Sequence, residues 1–116
     1  MTKSINDYAK EIHTTAVEHG WYNDPETGER IQRNFGEVVA LMHSELSESL
    51  EHYREGNPLV FIDPNGKPDG MAVELIDCVI RIFDTLHELG VNVEEVLDMK
   101  MEYNESRPYR HGGKKA

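Results

Sequence analysis

The sequence predicts an all-α protein, a bundle of four to five helices formed by one domain over residues 1–116. Two observations lead there: stretches of the chain repeat apolar residues at helical spacing, and cap or stop residues stand at their ends. A third is the lack of any clear strand beyond a short strand-like piece in the proline-rich segment 57–69.

The first helix is predicted from about Ser4 to His19, with Ile5, Tyr8, Ala9, Ile12 and Ala16 in register and Gly20 as a stop. His13 and His19 lie on or beside its buried stripe, as packing histidines or as base contacts. From Gly20 to Arg33 the chain reads as a polar, turn-rich loop. Trp21 and Tyr22 in that loop can either cover the core or lay a ring over a nucleobase.

The second helix is predicted over 35–55, opened by Asn34 with Glu37 three residues on and closed by Gly56 before Pro58. Phe35, Val38, Val39, Met42, Leu46, Leu50 and Tyr53 make the stripe that it is expected to bury. Glu45 and Glu48 fall on a second face with Leu41 and His52. The segment from Asn57 to Asp69 holds three of the five prolines and reads as a connecting loop with a short strand-like piece.

The third helix, about Met71 to Leu89, has an apolar arc about twice the ~100° of a surface helix, which predicts a central position buried on several sides. Its remaining strip is polar: Glu74, Asp77, Arg81, Asp84 and Glu88. Gly90 ends it, and Asn92 with Glu95 caps a fourth helix running to about Glu105. The stripe of that helix begins as Val93, Val96 and Leu97, then becomes Lys100, Asn104 and Arg107, either a frayed end or groups that reach into a site. A basic tail follows, expected to be mobile or ordered by a substrate or a neighbouring subunit.

Charge narrows the function. Lys and Arg total 12 against 22 Asp and Glu, a net charge of −10, which argues against nucleic acid as a partner. A single cysteine, Cys78, excludes an intrachain disulfide and predicts a reducing compartment. The chain offers no stretch of membrane-spanning length and no apolar leader near its start, so a cytoplasmic protein without a membrane partner is expected.

The informative residues are two acidic pairs, Glu45 with Glu48 and Glu74 with Asp77. Residues three apart share a helix face, so each pair aims its oxygens in one direction. Four carboxylates brought together in a partly dry site need counter-charge, and hard oxygen donors suit Mg²⁺, with Mn²⁺ as a substitute. Such a centre handles phosphate chemistry: the cation polarises a phosphoryl oxygen and activates water, while Glu45 or Glu48 takes the proton. Lys100, Asn104 and Arg107 are candidates to hold the remaining phosphate oxygens.

Glu45-Leu-Ser-Glu48 followed by Glu74-Leu-Ile-Asp77 resembles the E-x-x-E … E-x-x-D signature of the MazG-like all-α nucleoside triphosphate pyrophosphohydrolases. Lys100-Met-Glu-Tyr-Asn104-Glu-Ser-Arg107 is similar to the family's Lys-x-x-x-Asn-x-x-Arg segment, and the resemblance covers about residues 31–114. It implies Mg²⁺-dependent cleavage of a (deoxy)nucleoside triphosphate between the α and β phosphates, giving the monophosphate and pyrophosphate. It also implies a homodimer or homotetramer with sites completed across subunits. The metal ligands implied are Glu45, Glu48, Glu74 and Asp77, with Lys100 and Asn104 on the phosphates and Trp21 and His13 as base-contact candidates. Phosphoribosyl-ATP, a substrate of related helical enzymes, is the alternative substrate.

Two readings compete. A di-iron bundle wants paired Glu-x-x-His motifs, whereas only Asp84-x-x-His87 is present. A non-catalytic acidic helical module, binding metal or a basic partner, leaves Lys100, Asn104 and Arg107 without a role.

Overall fold

A computed structural model describes residues 2–116. The elements are α1 (Ile5–Glu18), α2 (Phe35–Glu55), β1 (Phe61–Ile62), β2 (Pro68–Asp69), α3 (Met71–Glu88), α4 (Val93–Ser106) and a terminal turn, α5 (Arg110–Gly113). The protein is all-α apart from the two-residue strands, which pair antiparallel with Phe61 opposite Asp69.

Local chemistry sets the helix ends. Ser4 and Asp7 form a reciprocal capping box at α1, while Asn34 and Asn92 accept the Glu37 and Glu95 backbone N–H groups at α2 and α4. Gly56 closes α2 in the left-handed conformation, φ 72°. Helix α3 instead starts from Gly70 at φ 121°, where a Cβ would run into the Leu59 carbonyl oxygen. Only glycine lets the hairpin return this closely to the start of α3.

Helix α3 is central, as expected, flanked by α1 and α2, both antiparallel to it. The face that it turns inward differs from expectation. Glu74 and Asp84 are buried, whereas Leu75, Ile76, Val79 and Ile80 are exposed. Helix α2 behaves likewise: Val38, Glu45 and Ser49 face α3, and Phe35, Leu46, Leu50 and Tyr53 stay open to solvent. The polar strips meet because their hydrogen bonds and ion pairs are made there, Ser49 Oγ donating to the Met71 carbonyl at 2.9 Å and Arg81 to Glu45 at 3.0 Å.

The buried apolar core is correspondingly small: Ala9, Tyr22, Val38, Cys78 and Val93. Cys78 is a free, buried thiol. Helix α4 packs on α1 and the end of α3 through Val93 and through Asn6, which bonds to Asn92 and Glu94. Beyond that the helix stands clear, with Met99, Met101 and Tyr103 exposed. No helix is long and apolar enough to cross a membrane.

Candidate metal centre

The site is built where antiparallel α2 and α3 cross. Oxygens of Glu45, Glu48 and Glu74 lie within 4.8 Å of one another. Asp77, one turn further along α3, stands outside this tight group but shares a cavity wall with Glu45. Glu48 is the exposed member and Glu74, 5 % exposed, the most buried.

Crowding sets the protonation. Burial, with Glu45, Glu48 and Asp69 close by, pushes the Glu74 carboxyl up to about 8. Burial and the charge of Glu45 raise Asp77 as well. Burial acts to raise Glu45, but hydrogen bonds from protonated Glu74 and from Arg81 outweigh it and hold Glu45 below its ordinary value. An oxygen-donor cluster in which crowding makes Glu74 retain a proton fits a hard divalent cation, which replaces that proton.

A cavity of about 350 Å³ opens beside Glu45 and Asp77. Its walls include Ile12, Thr15, Trp21, Arg33 and Arg81. Trp21, one of the lining residues, is 63 % exposed. A larger hollow of about 460 Å³ lies across Arg33, lined by Arg30, Phe35 and Leu89, but it lacks the carboxylate cluster.

His13 takes the packing role. Its Nδ1 lies 3.0 Å from Asp84 and its Nε2 3.3 Å from Glu88, while its ring meets Tyr22 edge-on at 5.1 Å. It stands behind the cavity wall and holds Asp84, which is itself part of that wall. Lys100, Asn104 and Arg107 do not join the carboxylates within one chain. Lys100 and Arg107 lie against the Tyr103 ring, at 4.8 and 5.6 Å, and among the described residues α4 makes no contact with α2.

The structure adds residues that the sequence pattern passed over. Arg81 lies one turn beyond Asp77 on the same face of α3, a spacing that could have flagged it as the counter-charge. Arg33 closes the cavity from the loop before α2. His52 and Asp69 flank Glu74, their ligand atoms all within 4.8 Å, and Asp69 comes from the segment that read as a connecting loop with a short strand-like piece. Compared with known proteins, the chain matches no family model, no curated protein and no solved structure.

Proposed function

We propose that the protein is a Mg²⁺-dependent nucleotide pyrophosphohydrolase that splits a (deoxy)nucleoside triphosphate between the α and β phosphates. The observation that carries this reading is the convergence of Glu45, Glu48 and Glu74 within 4.8 Å, next to a cavity that also holds an open indole and two arginines. That combination suits the parts of a nucleotide: oxygen donors for the phosphate-bound cation, guanidinium groups for phosphate oxygens and an aromatic face for the base.

Each residue has a distinct task in this reaction. Glu45, Glu48, Glu74 and Asp77 hold the cation, Mg²⁺ or its substitute Mn²⁺. When bound, it polarises the phosphoryl oxygen and lowers the pKa of the attacking water. Glu48, the exposed carboxylate, faces solvent and takes the proton from that water. Glu45 is held ionised by Arg81 and so remains a ligand. Trp21 stacks on the base, and Arg33 carries phosphate charge at the cavity wall.

Assembly belongs to the same reading. Leu46, Leu50 and Tyr53 on α2, with Leu75, Ile76 and Val79 on α3, are apolar side chains left open to solvent in the single chain. A second copy covers them, in a dimer or a pair of dimers, and brings Lys100, Asn104 and Arg107 of its free-standing α4 to the phosphates. The test is pyrophosphate release from a panel of canonical and modified (d)NTPs, with Mg²⁺ or EDTA, for wild type and Glu48→Gln. Metal-dependent release lost in the variant is expected. A folded, metal-loaded wild type that stays silent across the panel overturns the proposal.

A further inference from the structure

Glu74 has acidic neighbours on one side, Glu45 and Glu48, and a different pair on the other. His52 Nε2 lies 3.0 Å from Asp69 Oδ1 and 3.6 Å from Glu74 Oε1. These groups come from separate elements: His52 from the last turns of α2, Asp69 from β2 and Glu74 from the first turn of α3.

The hydrogen bonding around His52 decides which of its nitrogens carries the proton. Asn57 Nδ2 lies 2.9 Å from His52 Nδ1 and 3.0 Å from Glu55 Oε2. A carboxylate only accepts, so the Asn57 group facing Glu55 is its NH₂, and the same NH₂ donates to Nδ1. Nδ1 is therefore the acceptor of the ring, and in the neutral imidazole the hydrogen sits on Nε2, which donates to Asp69, with Glu74 Oε1 just beyond hydrogen-bond distance at 3.6 Å.

This pattern defines His52 as a donor. A ring nitrogen that carries hydrogen has no free lone pair for a metal, whereas its N–H, bonded to Asp69, fixes that carboxylate beside Glu74. The hairpin keeps the arrangement in place. Gly70 N–H donates to Asp69 Oδ1 at 2.8 Å, and Phe61 of β1 meets the imidazole edge-on with ring centres 5.8 Å apart.

We propose that His52 and Asp69 are a positioning pair that orients the Glu74 carboxylate toward the cation, so that the 57–70 hairpin forms part of the metal centre. The proposal rests on the metal-centre reading above. It concerns residues that bind neither metal nor substrate.

The test is Mn²⁺ binding, followed by the electron paramagnetic resonance signal of free Mn²⁺, in wild type, His52→Ala, His52→Gln and Asn57→Ala. His52→Ala is expected to weaken Mn²⁺ binding about tenfold or more without changing the number of ions bound, the usual cost of removing an outer-shell partner. His52→Gln keeps an N–H donor and is expected to stay within about threefold of wild type. Asn57→Ala, which leaves the imidazole in place but frees its tautomer, is expected to weaken binding in the same direction. Loss of one bound ion in His52→Ala makes His52 a ligand and overturns the proposal. Unchanged affinity in both alanine variants overturns it too, while the metal centre stands. A wild type that binds no Mn²⁺ removes the metal centre itself. Should His52→Ala not fold, the Gln and Asn57 variants decide: equal affinity in Asn57→Ala and wild type then sinks the idea.

Discussion

Arg81 Nε donates to Glu45 Oε1 across 3.0 Å, tying α3 to α2 inside the acidic cluster. Arg81 is the guanidinium placed directly on the cluster, so it offsets part of the repulsion among Glu45, Glu48, Glu74 and Asp77. Arg81→Met should therefore destabilise the metal-free protein. Breaking a fully buried pair costs about 3–5 kcal/mol, but the Arg81 side chain is 36 % exposed, and screening brings the expectation to about 1–2 kcal/mol. Saturating Mn²⁺ should recover most of the loss, because the ion supplies the missing charge. Thermal unfolding with and without Mn²⁺ checks both parts.

Glu74 gives a pH dependence of definite sign. Its pKa, about 8 in the folded protein, lies above the ordinary 4.5, so between those values the folded chain holds a proton that the unfolded chain has released. Stability from this group is full below about 4.5 and is lost as pH rises through 8. Asp77, also raised, acts in the same direction. The metal-free melting temperature should fall as the pH is taken from 5 to 8.5, by an amount on the order of 5 °C. Mg²⁺ should raise it most at the alkaline end, where no proton has to leave. A metal-free curve that rises over this range contradicts the crowded-carboxylate account.

The apolar flank of α3 predicts assembly. Ile76 is 57 % exposed in the single chain, so Ile76→Glu should leave the subunit fold intact. It should nevertheless shift the protein to monomers in light scattering and abolish activity, since Lys100 and Asn104 would no longer reach a neighbouring site. A mixing experiment separates this from simple damage. Glu48→Gln and Lys100→Ala proteins, each inactive alone, should recover roughly a quarter of wild-type activity when unfolded and refolded together, as expected for a two-site dimer with statistical exchange.

How far these features could be read from sequence follows from their range along the chain. The caps at Asn34 and Asn92 and the stop at Gly56 act within a turn, and they place the helix ends closely. The acidic pairs were equally legible, because i, i+3 geometry is a property of a single helix. The inward faces of α2 and α3 were not. Hydrophobic periodicity assigns the richest apolar stripe to the core, and here Leu46, Leu50 and Ile76 lie outside while Glu45 and Glu74 lie inside. The position of Asp69 depends on a hairpin return that only tertiary contacts define, and the separation of α4 from α2 depends on how Asn6 docks at Asn92.

Gly70 tests the hairpin as part of the fold. Gly70→Ala places a Cβ against the Leu59 carbonyl at a φ of 121°, so both backbone strain and a clash with backbone oppose it. The expected cost is about 2 kcal/mol or more, a fall in melting temperature on the order of 10 °C. Asp69 is displaced with its neighbour, so Mn²⁺ affinity should drop as well. Gly66→Ala, at a turn with open space around it, should cost less and leave Mn²⁺ affinity unchanged.

Trp21 is the sole tryptophan, and its fluorescence reports on the cavity directly. Trp21 is exposed and lines the same cavity as Glu45 and Asp77, so a base stacked on the indole lies on the same side as those two carboxylates. Adding a non-hydrolysable triphosphate analogue with Mg²⁺ should quench or shift the emission, and EDTA should weaken the effect. Stacking of a base on an aromatic ring is worth about 1–3 kcal/mol, so Trp21→Ala should raise KM by roughly tenfold or more and change kcat far less. A fall in kcat with KM unchanged places the base elsewhere. The hollow across Arg33, lined by Arg30 and Phe35, is then where the base should be sought.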